Sequence, residues 1–204
     1  WGVEIGYSFE GYVDAGITIA QPVGSAGGMA RIQDFGSFFD DTFLVVFGDA
    51  LIDLDLTAVL RRHWQSGAVA SMVVCDVPRE KVPSYGVVVS DSAGTITSFQ
   101  EKPTIEEARS RQVNTGIYVF EPEVIDLIPR GINYDIGSEL FPLILERGLS
   151  FHAIDVPFNW IDIGQLSDYW EASQQLMRGK LQGVSMPGTE VLPRIWTGLN
   201  VNVD

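Results

Sequence analysis

Hydrophobic positions along the chain fall into short blocks, with stripes of helical period between them. Residues 42–47, Thr-Phe-Leu-Val-Val-Phe, form an apolar run too short for a helix and closed by Gly48-Asp49, which predicts a buried strand. Residues 68–75 and 151–156 read the same way, and shorter strands are expected at 4–9, 16–19 and 116–120. Residues 85–90 and 96–100 make a strand pair joined by the turn Asp91-Ser-Ala-Gly94. Elsewhere the period lengthens. Within 56–66, Leu56, Val59, Leu60 and His63 share one helical face, and Asp55 stands where an N-cap is needed. Further helices are expected at 29–35, 104–111, 123–128, 138–147 (closed by Gly148) and 166–177. Strands alternating with helices predict an α/β class with a mixed sheet. No internal repeat and no low-complexity linker interrupts the pattern.

Composition narrows the picture. The chain has 204 residues, with 13 Lys and Arg against 27 Asp and Glu, for a formal net charge of −14. That length suits one large α/β domain, or one domain with a small appendage. A composition 46% hydrophobic and 20% charged is that of a globular core and excludes disorder. No apolar run approaches a membrane span. The acidity argues against nucleic acid but leaves room for a small phosphorylated substrate, since a lysine and a metal ion suffice locally. The single cysteine, Cys75, excludes a disulfide framework and a Cys-based zinc site; its apolar neighbours predict a core position. No signal peptide is visible, so a cytoplasmic location is expected. The first residues already alternate like a strand, there is no initiating methionine, and the last residues alternate again and stop. A fragment is therefore expected.

Several residues could carry chemistry. Asp49 follows an apolar strand, and ligands of open α/β sheets bind beyond the carboxyl ends of strands. A carboxylate there can hold a hard cation such as Mg2+, or cap a turn. Asp162, in Trp160-Ile-Asp-Ile-Gly164, sits among apolar neighbours and needs a cation or several donors; capping the next helix is the alternative. The loop Gly24-Ser-Ala-Gly-Gly28 opens a helix, whose bare N–H groups could receive phosphate or a base edge, although it matches neither the P-loop nor the dinucleotide pattern. Glu101-Lys102-Pro103 presents an acid and a base side by side, suited to a sugar hydroxyl and a phosphate, or simply solvated. Tyr85-Gly86 and Asn114-Thr115-Gly116 could set backbone against a sugar ring or be plain strand starts. His63 and His152 lack metal-ligand neighbours and read as structural or exposed.

Taken in order, Gly24-Ser-Ala-Gly-Gly28, Gly48-Asp49, Tyr85-Gly-Val-Val88, Glu101-Lys-Pro103, Asn114-Thr-Gly-Ile-Tyr118 and Trp160-Ile-Asp-Ile-Gly164 resemble the motifs of the sugar-1-phosphate nucleotidyltransferases, or nucleotide-sugar pyrophosphorylases. Within that family the pattern is most similar to mannose-1-phosphate guanylyltransferase-type proteins, over residues 21–170. The resemblance implies a Rossmann-like nucleotidyltransferase (nucleotide-diphospho-sugar transferase) fold with a mixed, mostly parallel central sheet flanked by helices. It implies that Gln21, Gly24 and Ser25 meet the nucleoside, and that Asp49 and Asp162 share a catalytic Mg2+, with Gly48 leaving the backbone open beside them. Gly86, Glu101, Lys102, Asn114 and Thr115 would line the sugar-phosphate site, with Lys102 on the phosphate and Trp160 as a wall. The implied partners are a nucleoside triphosphate and a sugar-1-phosphate, either mannose-1-phosphate with GTP or glucose-1-phosphate with UTP or dTTP.

One departure stands out: the family's glycine-rich signature loop with its Arg and Pro-Lys is absent, so residues 1–182 are expected to be a nucleotidyltransferase domain lacking that loop and inactive alone. Residues 183–204 resemble a linker into a left-handed β-helix, a module that would favour a homo-oligomer. Two alternatives remain at this point. A glycosyltransferase of the related fold could use Asp53-Leu-Asp55 as a D-x-D metal motif, and a regulatory subunit could bind nucleotide-sugar without catalysis.

Overall fold

The computed structural model describes residues 2, 5–36, 38–181, 183, 188–193 and 195–198. A central sheet of six strands carries the fold. In chain order the elements are β1 (Gly11–Asp14), β2 (Ile17–Ala20), α1 (Ser25–Asp34), β3 (Phe43–Val46), β4 (Ala50–Ile52), α2 (Leu56–Ser66), β5 (Ala70–Asp76), β6 (Val87–Ser90), β7 (Ile96–Gln100), β8 (Gln112–Phe120), α3 (Phe141–Glu146), β9 (Phe151–Asp155), β10 (Trp160–Asp162), α4 (Leu166–Met177), β11 (Thr189–Leu192) and β12 (Ile195–Thr197). The sheet path is β7-β6-β8-β5-β9, with β3 also on β8. β1/β2, β4/β10 and β11/β12 are separate two-stranded pairs.

The central strands are buried on both faces, which is why they read as unbroken apolar runs. Alternate residues serve different cores. Met72 and Val74 of β5, with Tyr118 and Phe120 of β8, face α1 and α3, where they meet Met29, Phe141 and Ile144. Val73, Ile117 and Val119 point the other way, onto Val59 of α2. His63, expected on the same stripe, is only 1% exposed. It is satisfied by Ser71 Oγ at Nδ1 (2.8 Å) and Glu121 Oε1 at Nε2 (2.9 Å), so it is structural.

The sheet is mixed, but the expectation of mostly parallel pairing is corrected. Among the described residues only β5/β9 is parallel; β3/β8, β5/β8, β6/β7 and β6/β8 are antiparallel. The reason is the long strand β8, which runs against every neighbour it has.

Local expectations fare unevenly. Asp55 caps α2 as read, accepting from the Thr57 and Ala58 amides. The first strand lies at Gly11–Asp14 rather than 4–9, and residues 5–9 make no ladder. Helix α1 begins at Ser25, four residues earlier than expected, so Gly27 and Gly28 fall inside it and Gly24 is its N-cap. The helix expected at 104–111 is a single turn. Its stretch is almost all polar, and Gln100 takes over the next backbone groups, accepting from the Arg109 amide and donating to the Glu107 carbonyl. Residues 123–128 form a 3-10 helix, Pro122–Leu127, and the helix expected at 138–147 opens as a π-helical turn, Ile136–Leu140. Cys75 is half-buried beside a cleft rather than in the core, and burial pushes its thiol up to about 12. No helix of the described residues is long and apolar enough to cross a membrane. The expected start of a β-helix lies partly outside the described residues; its described part is the antiparallel pair β11/β12.

Candidate active site

The site forms where β8 passes its edge from one partner to another. Residues Ile117–Phe120 pair with β3, while Val113 pairs with Val87 of β6 on the same side. Between these stretches the β8 register slips against β5: Met72 faces Tyr118 but Val74 faces Asn114. The slip is a bulge, which re-aims the strand's side chains. Gly116 allows it, with φ +77, and the Thr115 hydroxyl closes it by donating to the Val73 carbonyl at 2.8 Å. A crevice opens at this switch point, just beyond the carboxyl end of β3.

The crevice has a volume of about 200 Å³. Asp49, Gly86, Glu101, Lys102, Asn114, Thr115, Trp160 and Asp162, scattered through the sequence, all line it. β4 and β10 pair so that Asp162 stands opposite Ala50, and the Ile163 amide donates to the Asp49 carbonyl at 2.9 Å. The two aspartates thus share one rim. Burial, then the charges of Asp49 and Asp168, push the Asp162 carboxyl above its ordinary range. A carboxylate held up by its neighbours' negative charge is a fit for a hard cation, and Mg2+ takes one or two carboxylates while keeping waters and phosphate oxygens as its other ligands. Among the described residues no group of three or more His, Cys, Asp or Glu could hold a metal, so at this rim the described residues offer the two carboxylates Asp49 and Asp162.

Lys102 sits in the left-handed backbone region at φ +44, a conformation that costs a non-glycine residue and is found at sites the rest of the fold over-determines. Burial raises the Glu101 carboxyl, the Lys102 charge opposes this, and Asp135 adds to it. Asp135 was not singled out from the sequence; its signal, an aspartate two residues before a glycine, is too common to stand out. The Asn114 side chain donates to the Tyr118 hydroxyl and accepts from the Gly116 amide, both at 2.9 Å, so its orientation is set from within the protein. The Trp160 ring leans on Tyr85 with centroids 5.2 Å apart, and its indole N–H is buried without a partner.

Part of the glycine-rich segment is engaged within the protein. The Ala26 and Gly27 amides donate to the Tyr134 carbonyl at 3.0 and 2.9 Å. The Ser25 hydroxyl donates to Asp135 and accepts from the Ile136 amide, both at 2.8 Å. Gly24, at φ +78, lies where a Cβ would meet the Tyr134 carbonyl. The Gln21 amide is tied to the Glu10 carbonyl at 2.9 Å. Gln21, Gly24, Ser25 and Gly48 are not among the residues lining the crevice, although Gly48 lies between Phe47 and Asp49, which are. The D-x-D reading loses its geometry as well. Asp55 is the α2 cap, and Asp53 accepts from the Asn159 amide and side chain, both at 2.6 Å, beside Pro157 and Phe158.

Comparison with known proteins gives the family. The family described as nucleotidyl transferase matches residues 1–179. The chain belongs to the nucleotidyl transferase family. It is 52% identical over 201 residues to a UTP--glucose-1-phosphate uridylyltransferase of Synechocystis sp., covering 98% of this chain and 52% of that protein. It is 30% identical over 200 residues to the mannose-1-phosphate guanylyltransferase catalytic subunit beta of Drosophila pseudoobscura pseudoobscura, covering 98% and 48%. The chain thus spans about half the length of the curated relatives it matches. Among solved structures, HddC from Yersinia pseudotuberculosis complexed with GMP-PN superposes with a TM-score of 0.61 at 21% identity, over 76% of this chain and 64% of that one, a likeness of fold.

Proposed function

We propose that the protein joins a nucleoside triphosphate to a sugar-1-phosphate, releasing pyrophosphate, with UTP and glucose-1-phosphate as its substrate pair. The observation that carries this reading is the crevice itself: two carboxylates on one rim, with Lys102, Glu101 and Asn114 also lining it. The pair of substrates is supported by the relative at 52% identity; GTP with mannose-1-phosphate draws support from relatives near 30%.

A phosphate monoester is largely dianionic at neutral pH, so the sugar phosphate's oxygen is already a nucleophile and needs no general base. The oxygen forms a bond to the α-phosphorus, the bond to the β-phosphate bridge breaks, and pyrophosphate leaves. The protein's part is alignment and charge neutralisation. Lys102 grips the sugar phosphate, Glu101 and Asn114 hold sugar hydroxyls, and Trp160 with Tyr85 walls the ring. Asp49 and Asp162 would hold Mg2+, which supplies positive charge to the phosphate oxygens when bound. Residues 1–182 are read as this domain and 183–204 as a linker with the start of a left-handed β-helix, in a cytoplasmic enzyme.

The test, made on the full-length protein because this chain is expected to be inactive alone, is release of pyrophosphate with Mg2+ from UTP, dTTP, GTP, ATP or CTP, each against glucose- and mannose-1-phosphate. Release with UTP and glucose-1-phosphate is expected. Silence across the panel, with nucleotide-sugar still bound, favours the regulatory-subunit reading; release of nucleoside diphosphate instead indicates a glycosyltransferase. In the full-length protein Asp49→Asn should lower turnover by about 10²-fold or more with the fold intact, as expected for loss of a group that would hold the charge-neutralising cation. Near-normal turnover removes Asp49 from the machinery.

A further inference from the structure

Strand β8 changes register beside the crevice, and the change is confined to one joint. β5 keeps unbroken parallel register with β9 from Ala70 to Val74, so the slip belongs to β8. Across it Met72 faces Tyr118 while Val74 faces Asn114, which leaves Val73 opposite Thr115, Gly116 and Ile117. Neither Thr115 nor Gly116 has a ladder partner among the described residues. What holds them is a set of single bonds. The Thr115 side chain is buried, and its hydroxyl donates to the Val73 carbonyl at 2.8 Å. That engages the hydroxyl's one proton and leaves a substrate no donor at Thr115. Val73 is itself a fixed anchor, packed with Val59, Ile117, Val119 and Ile154. On one side of Thr115, the Asn114 amide donates to the Gly86 carbonyl at 2.9 Å, and Asn114 Oδ1 accepts from the Gly116 amide. On the other, the Gly116 carbonyl accepts from the Phe47 amide at 3.0 Å, and a Cβ on Gly116 would lie 3.1 Å from the Phe47 ring. Phe47 leads through Gly48 to Asp49, and Phe47, Asp49 and Asn114 all line the crevice.

We propose that Thr115 is a positioning residue: its hydroxyl, anchored on Val73, fixes the joint Asn114-Thr115-Gly116 and with it the separation between the Asn114 side of the crevice and the Asp49 rim. The proposal rests on the reading of the crevice as the substrate site. In-line attack needs the sugar phosphate oxygen and the α-phosphorus at a set separation, and small displacements of aligned groups lower the rate steeply. A bulge without ladder partners does not set that separation by itself. The Thr115 hydroxyl carries the rigidity of β5 into it, and the Gly116 carbonyl passes this on to the segment that ends in Asp49.

The experiment compares full-length wild type with Thr115→Val, Thr115→Ala and Thr115→Ser. Valine keeps the shape and removes the hydroxyl. Alanine leaves room for a water molecule at the Val73 carbonyl and serves where valine does not fold. The first readout needs no substrate or metal: amide hydrogen exchange of Phe47, measured against that of Met72 in the core of β5. Phe47 exchange should speed up about tenfold or more relative to Met72 in the valine and alanine variants, as for loss of a buried hydrogen bond, and serine should restore it. The second is steady-state pyrophosphate release well below Tm. There kcat should fall about tenfold or more, with a smaller change in KM for glucose-1-phosphate, and serine should again restore it. A threonine that only stabilises the fold would shift Tm and move neither readout. Three results overturn the proposal: Phe47 exchange unchanged relative to Met72 in both the valine and alanine variants, a rise in KM alone with kcat kept (which makes Thr115 a substrate contact), or no restoration by serine. If wild type releases no pyrophosphate, the reading of the reaction fails, and the exchange measurement still decides for or against the joint on its own.

Discussion

Gly86 lines the substrate crevice, and the obvious reason for a glycine there is to let a sugar approach. The packing gives a different reason. A Cβ on Gly86 would lie 2.9 Å from Cε2 of Phe99 and closer still to Cζ, with Glu101 Oε2 at 3.2 Å. The space is already filled by protein. The backbone is not in the left-handed region, so alanine brings no conformational penalty and the perturbation is steric alone. To bring its nearest atom, Cζ, to ordinary contact the Phe99 ring must retreat by about 1 Å. It cannot do so freely, because it packs edge-on against Phe141 (5.2 Å), which in turn meets Tyr118 (5.1 Å) and Phe151 (5.0 Å). Overpacking of this kind costs about 1–3 kcal/mol. For a chain of this size that is a fall in Tm of roughly 4–8 °C at the middle of the range. The strain also reaches the chemistry, since the Asn114 amide donates to the Gly86 carbonyl at 2.9 Å. The assay is thermal and urea unfolding of Gly86→Ala, Phe99→Leu and the double variant. Leucine in place of Phe99 makes room for the new methyl, so the double variant should be more stable than the two single losses predict, by about 1 kcal/mol. A Gly86→Ala protein as stable as wild type, or losses that simply add, would falsify the packing account and return Gly86 to the substrate.

Asp162→Asn trades activity for stability. The wild-type carboxyl titrates above its ordinary 3.8, so the folded state loses stability as pH rises through that raised range. The asparagine variant escapes this loss, and after screening by solvent its gain should be about 0.5 kcal/mol, or a Tm roughly 1–2 °C higher at neutral pH. The gain should vanish on acidification below the ordinary value, and a Tm difference that is flat with pH would count against charge as its cause. Asp55→Ala removes a cap that accepts from the Thr57 and Ala58 amides, and should cost about 1 kcal/mol in urea unfolding with KM values unchanged. An altered KM would reopen the Asp53-Leu-Asp55 motif as a functional one.

Helix α2, its cap, the β6/β7 hairpin and helix α4 were legible in the sequence because each carries its own local signal: a stripe, a capping residue, a turn. Strands β4 and β10 were not. Each is three residues long and exists by pairing with the other, across more than a hundred residues of chain. The mostly parallel sheet was misjudged for a related reason. Strand direction is set by which neighbour β8 lies against, and no residue of β8 records that. The same contrast runs through the site. Asp49, Glu101, Lys102, Asn114 and Asp162 could be proposed because carboxylates and a lysine at strand ends are chemically loud, and the crevice gathers them.

In the glycine-rich segment, packing within the protein stands beside the chemistry its residues suggest. Glycines before a helix suggest open N–H groups, and here the Tyr134 carbonyl accepts from those of Ala26 and Gly27 while Asp135 and Ile136 engage the Ser25 hydroxyl. The same holds for Gly86, whose missing side chain is occupied by Phe99. In both places the absence of a Cβ allows one part of the chain to approach another. The crevice gains its shape from these approaches: the turn held against α1 carries Asp135 and Gly137, and Glu101 Oε2 would lie 3.2 Å from a Cβ on either Gly137 or Gly86. Glu101 is thus flanked by two glycines from distant segments. Its freedom to meet a ligand depends on both staying small, a constraint that belongs to the assembled fold and to neither segment alone.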